Sequence, residues 1–157
     1  MKPDGLRAQI EALFYEYADA IDEDRIEEWP EFFVEQGVYK IVSRQNFDRG
    51  LPLATMLCES KGMMKDRVNA IRNLSMYAPR YFRHLIANVR VKSETAEGIA
   101  VQSNYAVMQT LVDGETRVFN AGRCVDQIVR EGDFLKFKSR LCIYDTIVIP
   151  NSLIYPL

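Results

Sequence analysis

His84 is the only histidine in the chain, within Arg80-Tyr81-Phe82-Arg83-His84-Leu85-Ile86-Ala87-Asn88-Val89. A facial iron triad needs two histidines and a carboxylate, a Rieske cluster needs two histidines and two cysteines, and catalytic zinc commonly takes two or three histidines. One imidazole therefore predicts that the chain holds no transition metal by itself. The best available acid–base set is Asp22, Tyr39 and His84. A buried carboxylate and a tyrosine hydroxyl lining an apolar pocket can abstract a proton and stabilise an enolate. In the plainer alternative Asp22 caps a helix and Tyr39 is a core aromatic. Among the eight glycines there is no nucleophile elbow, phosphate-cradling loop or dinucleotide fingerprint. Cys58, Cys124 and Cys142 are odd in number, widely spaced and set in apolar surroundings, which predicts buried free thiols rather than a disulfide or a ligand set.

These residues must be positioned by local structure. From Leu6 to Ile21 the apolar residues Ile10, Leu13, Phe14, Tyr17 and Ile21 recur at helical spacing. A second short helix, capped by Asp22 or Asp24, is expected to carry Ile26, Trp29, Phe32 and Phe33 on one side and to stop at Gly37, with a strand over Val38 to Val42. Leu53 to Cys58 reads as a strand, and Met64, Val68, Ile71 and Leu74 suit a helix of about three turns. From Phe82 the period becomes two. Leu85, Ala87, Val89 and Val91 alternate with His84, Asn88, Arg90 and Lys92, which points His84 away from a helix-covered core unless a strand bulge reverses the face. Strands follow over Gly98 to Val112, Glu115 to Arg130 and Phe134 to Tyr144, joined by turns at Asp113-Gly114 and Glu131-Gly132-Asp133. The last strand sets Leu135, Phe137, Leu141 and Ile143 against Lys136, Lys138 and Arg140. Those three bases, with Arg83, Arg90 and Lys92, are expected on outward faces, either solvated or meeting another protein.

Helices followed by long antiparallel strands predict one α+β domain over residues 1–157, with N-terminal helices packed on a strongly curled antiparallel sheet that makes a cone. The formal charge of -2 and pI near 5.5 argue against nucleic-acid binding. Met1-Lys2-Pro3-Asp4-Gly5 has no apolar signal core and no run is long enough to span a bilayer, so a cytoplasmic protein without membrane association is expected. The segment Ile147 to Leu157 is apolar to its last residue. Termini are usually mobile and polar, so this one is expected to be docked.

Several of these segments, in order and at consistent spacing, resemble the small (β) subunits of bacterial aromatic-ring-hydroxylating dioxygenases. They are Tyr17 to Asp22, Glu28-Trp29-Pro30-Glu31-Phe32-Phe33, Gly37-Val38-Tyr39, Asp66-Arg67-Val68-Asn69-Ala70-Ile71-Arg72, Arg83-His84-Leu85-Ile86-Ala87-Asn88 and Val101-Gln102-Ser103-Asn104-Tyr105. Gly122-Arg123-Cys124-Val125-Asp126 and the strand from Leu135 to Asp145 extend the match, and Asn151-Ser152-Leu153-Ile154-Tyr155-Pro156-Leu157 looks most like members acting on aromatic acids. The resemblance implies a cystatin-like cone of the nuclear-transport-factor-two type and a trimer of this chain within an α3β3 hexamer. It also implies a large α subunit carrying the Rieske [2Fe-2S] cluster and a mononuclear iron, supplied by a reductase or ferredoxin. The implied complex performs NADH- and O2-dependent dihydroxylation, with no catalytic, cofactor-binding or metal residue in this chain. Asp66, Arg67, Arg83, His84 and Asn104 would then hold strand ends and subunit contacts. The competing expectation is a standalone dehydratase or isomerase of the same fold using Asp22, Tyr39 and His84, since shared fold does not decide function.

Overall fold

The computed structural model describes residues 3–74, 78–146, 149 and 153–157. Helix α1 (Pro3–Asp22) is followed by a 3-10 helix (Ile26–Phe32), strand β1 (Phe33–Ser43), a short α2 (Arg44–Asp48), β2 (Met56–Cys58), α3 (Lys61–Asn73), β3 (Arg80–Thr95), β4 (Gly98–Leu111), β5 (Thr116–Glu131) and β6 (Phe134–Tyr144). The strands form one sheet in the order β2-β1-β6-β5-β4-β3. The chain is thus α+β with helices on a long sheet, as expected, but the sheet is mixed rather than wholly antiparallel. β1 runs parallel to β6, from Val38 opposite Ser139 to Ser43 opposite Tyr144, and all other neighbours are antiparallel. α1 packs on β3 and β6 and α3 on β1 and β2, and the sheet does not close on itself.

α1 forms because its apolar residues return every three or four positions, and Ile10, Phe14, Tyr17 and Ile21 are all buried. It ends in two reverse bonds. Arg25 N–H donates to the Ala20 carbonyl and Asp24 N–H to the Ile21 carbonyl, with Asp24 in the left-handed region at φ 56°. Arg72 on α3 reaches this corner and binds both Asp24 and Glu27. α3 starts on Ser60, whose hydroxyl accepts from Met63 N–H, and buries Met64, Val68 and Ile71. The expected stop at Gly37 is not there. Phe33 already opens β1, and Gly37 lies inside it at a register shift between Phe33 and Val38, where an added Cβ would come 2.8 Å from the Phe33 Cβ.

Two bulges change which side chains face the core. In β3 the register shifts between Ala87 and Arg90, with Asn88 at φ 52°. Before the shift Phe82, His84 and Ile86 turn inward; after it Val89 does. The expected outward His84 is therefore corrected: Leu85 is 58% exposed, and the His84 side chain is only 3% exposed. In β6 Phe137 pairs with Ile128 and Ser139 with Gln127, leaving Lys138 as the extra residue. The rephased strand brings Arg140 inside with Phe137, overturning its expected outward place, while Lys138 stays exposed. Of the C-terminal segment, Ile147, Val148, Pro150, Asn151 and Ser152 lie outside the described residues. Pro156 and Leu157 are buried, and Ile149, Leu153, Ile154 and Tyr155 pack against the core. No helix among the described residues is long and apolar enough to cross a membrane.

Candidate functional site

The end of α1 and the start of β3 bring Asp22 and His84 together. Asp22 Oδ1 lies 2.5 Å from His84 Nδ1, and Asp22 Oδ2 accepts from the His84 backbone N–H at 2.8 Å. Both side chains are buried. One carboxylate thus ties the ring and the main chain of β3 to the helix and places the proton on Nδ1. Nε2 has no hydrogen-bond partner among the described residues. Asp22 is the last residue of α1 rather than a cap for the next helix.

Tyr39 belongs to a different cluster. Its hydroxyl accepts from Leu157 N–H at 2.6 Å and donates to the Leu157 main-chain oxygen at 3.2 Å. Tyr17 donates to the same oxygen at 2.7 Å and accepts from Trp29 Nε1–H at 3.2 Å. Burial pushes both phenols above their ordinary range, so at neutral pH each is a fixed neutral donor. The structure joins Asp22 to His84 but gives Tyr39 to the C-terminal segment, and no hydrogen bond among the described residues connects the two sets. The acid–base triad is split.

The charged centre of the interior is a pair the sequence did not point to. Arg140 Nη1 donates to Asp126 Oδ2 at 3.0 Å, both side chains being almost fully buried. The guanidinium lies over the rings of Tyr17, Phe137 and Phe14, at 4.6, 4.9 and 5.1 Å from their centroids. Burial pushes the Asp126 carboxyl up to about 7 against the pull of Arg140. Burial also opposes the Arg140 charge, but Asp126 beside it holds the guanidinium well above its ordinary value. A signal was present in the sequence. Asp126 falls two residues after buried Cys124 and Arg140 two before buried Cys142, at strand spacing, and Asp126 faces Arg140 across the β5–β6 ladder.

This ion pair, the aromatic rings and Leu157 are all buried in the core. A cleft of about 480 Å³ is lined among others by Asp22, Asp24, Phe82, Arg83 and Tyr155. Along it Arg83 binds Glu23 at 2.6 Å, Arg72 binds Asp24 at 2.9 Å, and Tyr155 donates to Asp24 at 3.3 Å. The remaining residues implied by the resemblance are peripheral. Asp66 on α3 and Asn104 on β4 are exposed, and Arg67 is half-buried. No group of three or more His, Cys, Asp or Glu among the described residues is placed to hold a metal ion. With one histidine in the whole chain, the donor set does not fit a Rieske cluster.

Residues 16–151 match the family described as the ring hydroxylating beta subunit. The chain is 36% identical over 149 residues to the anthranilate 1,2-dioxygenase small subunit of Burkholderia cepacia, covering 95% of this chain and 92% of that one. It is 29% identical to a β subunit (beta 2) of the terminal oxygenase component of terephthalate 1,2-dioxygenase from a Comamonas species, covering 95% and 97%. A crystal structure from Novosphingobium aromaticivorans, proposed to be the β subunit of an aromatic-ring-hydroxylating dioxygenase, superposes with a TM-score of 0.88. It shares 39% identity, and 98% of each chain is covered. On this sequence and structural likeness across nearly its whole length, the chain belongs to the ring hydroxylating β subunit family of the aromatic-ring dioxygenases.

Proposed function

We propose that this chain is the cofactor-free structural β subunit of a terminal oxygenase that dihydroxylates an aromatic acid with NADH and O2. In this reading residues 1–157 form one domain in the cytoplasm and no residue of the chain is catalytic. The Rieske [2Fe-2S] cluster and the mononuclear iron sit in the large α subunit, reached by electrons from a reductase or ferredoxin. Three copies of the chain form the base of an α3β3 hexamer.

The separation of Tyr39 from the Asp22–His84 pair, in a chain of the β-subunit family, carries this reading. A standalone dehydratase or isomerase using Asp22, Tyr39 and His84 needs Tyr39 beside His84, whereas the Tyr39 hydroxyl is bonded to Leu157. Anthranilate and terephthalate are both aromatic carboxylic acids, which supports the substrate class of the assembled complex. Assembly is supported by apolar side chains left on the outer face of the sheet: Leu85 on β3 is exposed, as are Val118 and Val125 on β5.

Co-expression with the large subunit tests the proposal. The two chains are expected to purify together, with turnover of an aromatic acid present only in the complex. Iron and a Rieske-type spectrum in this chain alone, turnover by this chain alone, or failure of the two to co-purify would overturn it.

A further inference from the structure

We propose that Cys124 and Cys142 form a reversible disulfide across β5 and β6. The two residues are register partners in the antiparallel ladder. Asp145 N–H donates to the Ala121 carbonyl at 2.9 Å, so Ala121 and Asp145 are a hydrogen-bonded pair. Ladder pairs alternate, which makes Gly122/Tyr144, Cys124/Cys142 and Asp126/Arg140 the close, non-hydrogen-bonded pairs. Such pairs have Cα atoms about 4.5 Å apart, inside the range of about 4.4 to 6.8 Å that a disulfide spans. Gly122 gives an independent measure of that closeness, since a Cβ there would come 2.8 Å from the Tyr144 Cα. The sulfurs already face one another at 3.5 Å, and closing to about 2.05 Å needs rotation of two side chains rather than movement of a strand.

The surroundings suit the chemistry. Arg140 Nη2 lies 3.4 Å from Cys124 Sγ, but burial first and the hydrogen bond to Cys142 next hold the Cys124 thiol well above its ordinary value against the pull of Arg140, so Cys124 stays protonated. Burial works against ionisation of Cys142, but the Cys124 S–H donating to it and nearby Arg140 bring its thiol below the ordinary value. Cys142 is therefore the attacking sulfur. With a hydroperoxide as oxidant, the Cys142 thiolate takes one peroxide oxygen as a sulfenic acid and expels the other as water after protonation. Cys124 then attacks that sulfur, forming the S–S bond and releasing a second water. Two thiols and one hydrogen peroxide give one disulfide and two waters, the two electrons passing from sulfur to oxygen. Cys58 lies on β2 and has no register partner among the other cysteines, so it serves as the internal control.

The test exposes the reduced, folded full-length chain to hydrogen peroxide, then unfolds it in N-ethylmaleimide and reads its mass and peptides. The expected result is loss of two of the three alkylatable thiols, a mass about 2 Da lower before alkylation, and one peptide joining Cys124 to Cys142. Dithiothreitol should restore all three. Cys124→Ala should abolish the cross-link and leave Cys142 as a sulfenic acid trapped by dimedone; the wild-type measurement stands whether or not that variant folds. Retention of three alkylatable thiols, a cross-link that includes Cys58, or a link that forms only after unfolding would overturn the proposal.

Discussion

Replacing Arg140 with alanine would leave Asp126 buried without its counter-charge, and breaking one side of a buried pair commonly costs about 3 to 5 kcal/mol. At about pH 8, where Asp126 is ionised in the folded wild type, urea denaturation of Arg140→Ala should show a loss of that order. The same pair sets a pH dependence. Asp126 is pushed up to about 7 in the folded chain, whereas an unfolded aspartate titrates near about 3.9. Between those values the folded state holds more protons, so stability falls as pH rises. The contribution is fully present below about pH 4, is lost as pH climbs through about 7, and amounts to about 4 kcal/mol at most. Thermal melts should therefore decline from about pH 5 to 8 in the wild type and lose most of that slope in Asp126→Asn. Glu27, held down to about 2 first by its Arg72 hydrogen bond, titrates below that window and leaves the comparison clean. His84 gives a different expectation. His84→Asn removes the side-chain bond to Asp22 but keeps the backbone one, a loss of about 0.5 to 1.5 kcal/mol, or about 3 if Asp22 is left short of a donor. Assembled complex should form in lower yield with turnover per assembled complex largely retained. A fall of two orders of magnitude or more in fully assembled material would mark His84 as a catalytic base.

At the scale of the strands, close approach between β5 and β6 depends on Gly122. An added Cβ would sit 2.0 Å from the Ile143 carbonyl oxygen, which is backbone and cannot swing aside. Gly122→Ala should therefore destabilise the chain by more than the roughly 1 to 3 kcal/mol of ordinary overpacking, seen as a lowered urea midpoint. What the sequence made legible follows from the same geometry. The strand expected over Phe134 to Tyr144 is found there as β6, because turn residues flank an unbroken β-rich run. α1 was legible from its spacing alone. The inward faces of β3 and β6 were not, because a bulge changes the count by one residue and leaves composition untouched. Leu85 on the outer face of β3 and Val89 on the inner one look alike in sequence, so the period of two persists across Asn88 while the face reverses. Lys138 does the same in β6, and that single extra residue carried Arg140 from an expected surface into the core.

For the whole molecule, the sequence disclosed that this is a cone with helices on a curled sheet and that its C-terminal segment carries apolar side chains. It did not disclose what fills the interior, since the contacts of Leu157 with Tyr17 and Tyr39 span 140 and 118 residues of chain. Leu85 stands opposite Ala106, and Val125 opposite Gln102, on the outer face of β3, β4 and β5. Exposed surface substitutions away from caps and buried partners change stability by about 0.5 kcal/mol or less. Leu85→Asp should accordingly leave the melting temperature of the isolated chain nearly unchanged. If the outer face carries self-association, light scattering of the wild type at micromolar concentration should give about three times the 18.1 kDa monomer mass. The charge placed in that apolar patch should shift the distribution toward monomer. A monomeric wild type, or a Leu85→Asp chain that stays trimeric at every dilution, would remove the outer face of β3 as the contact between copies.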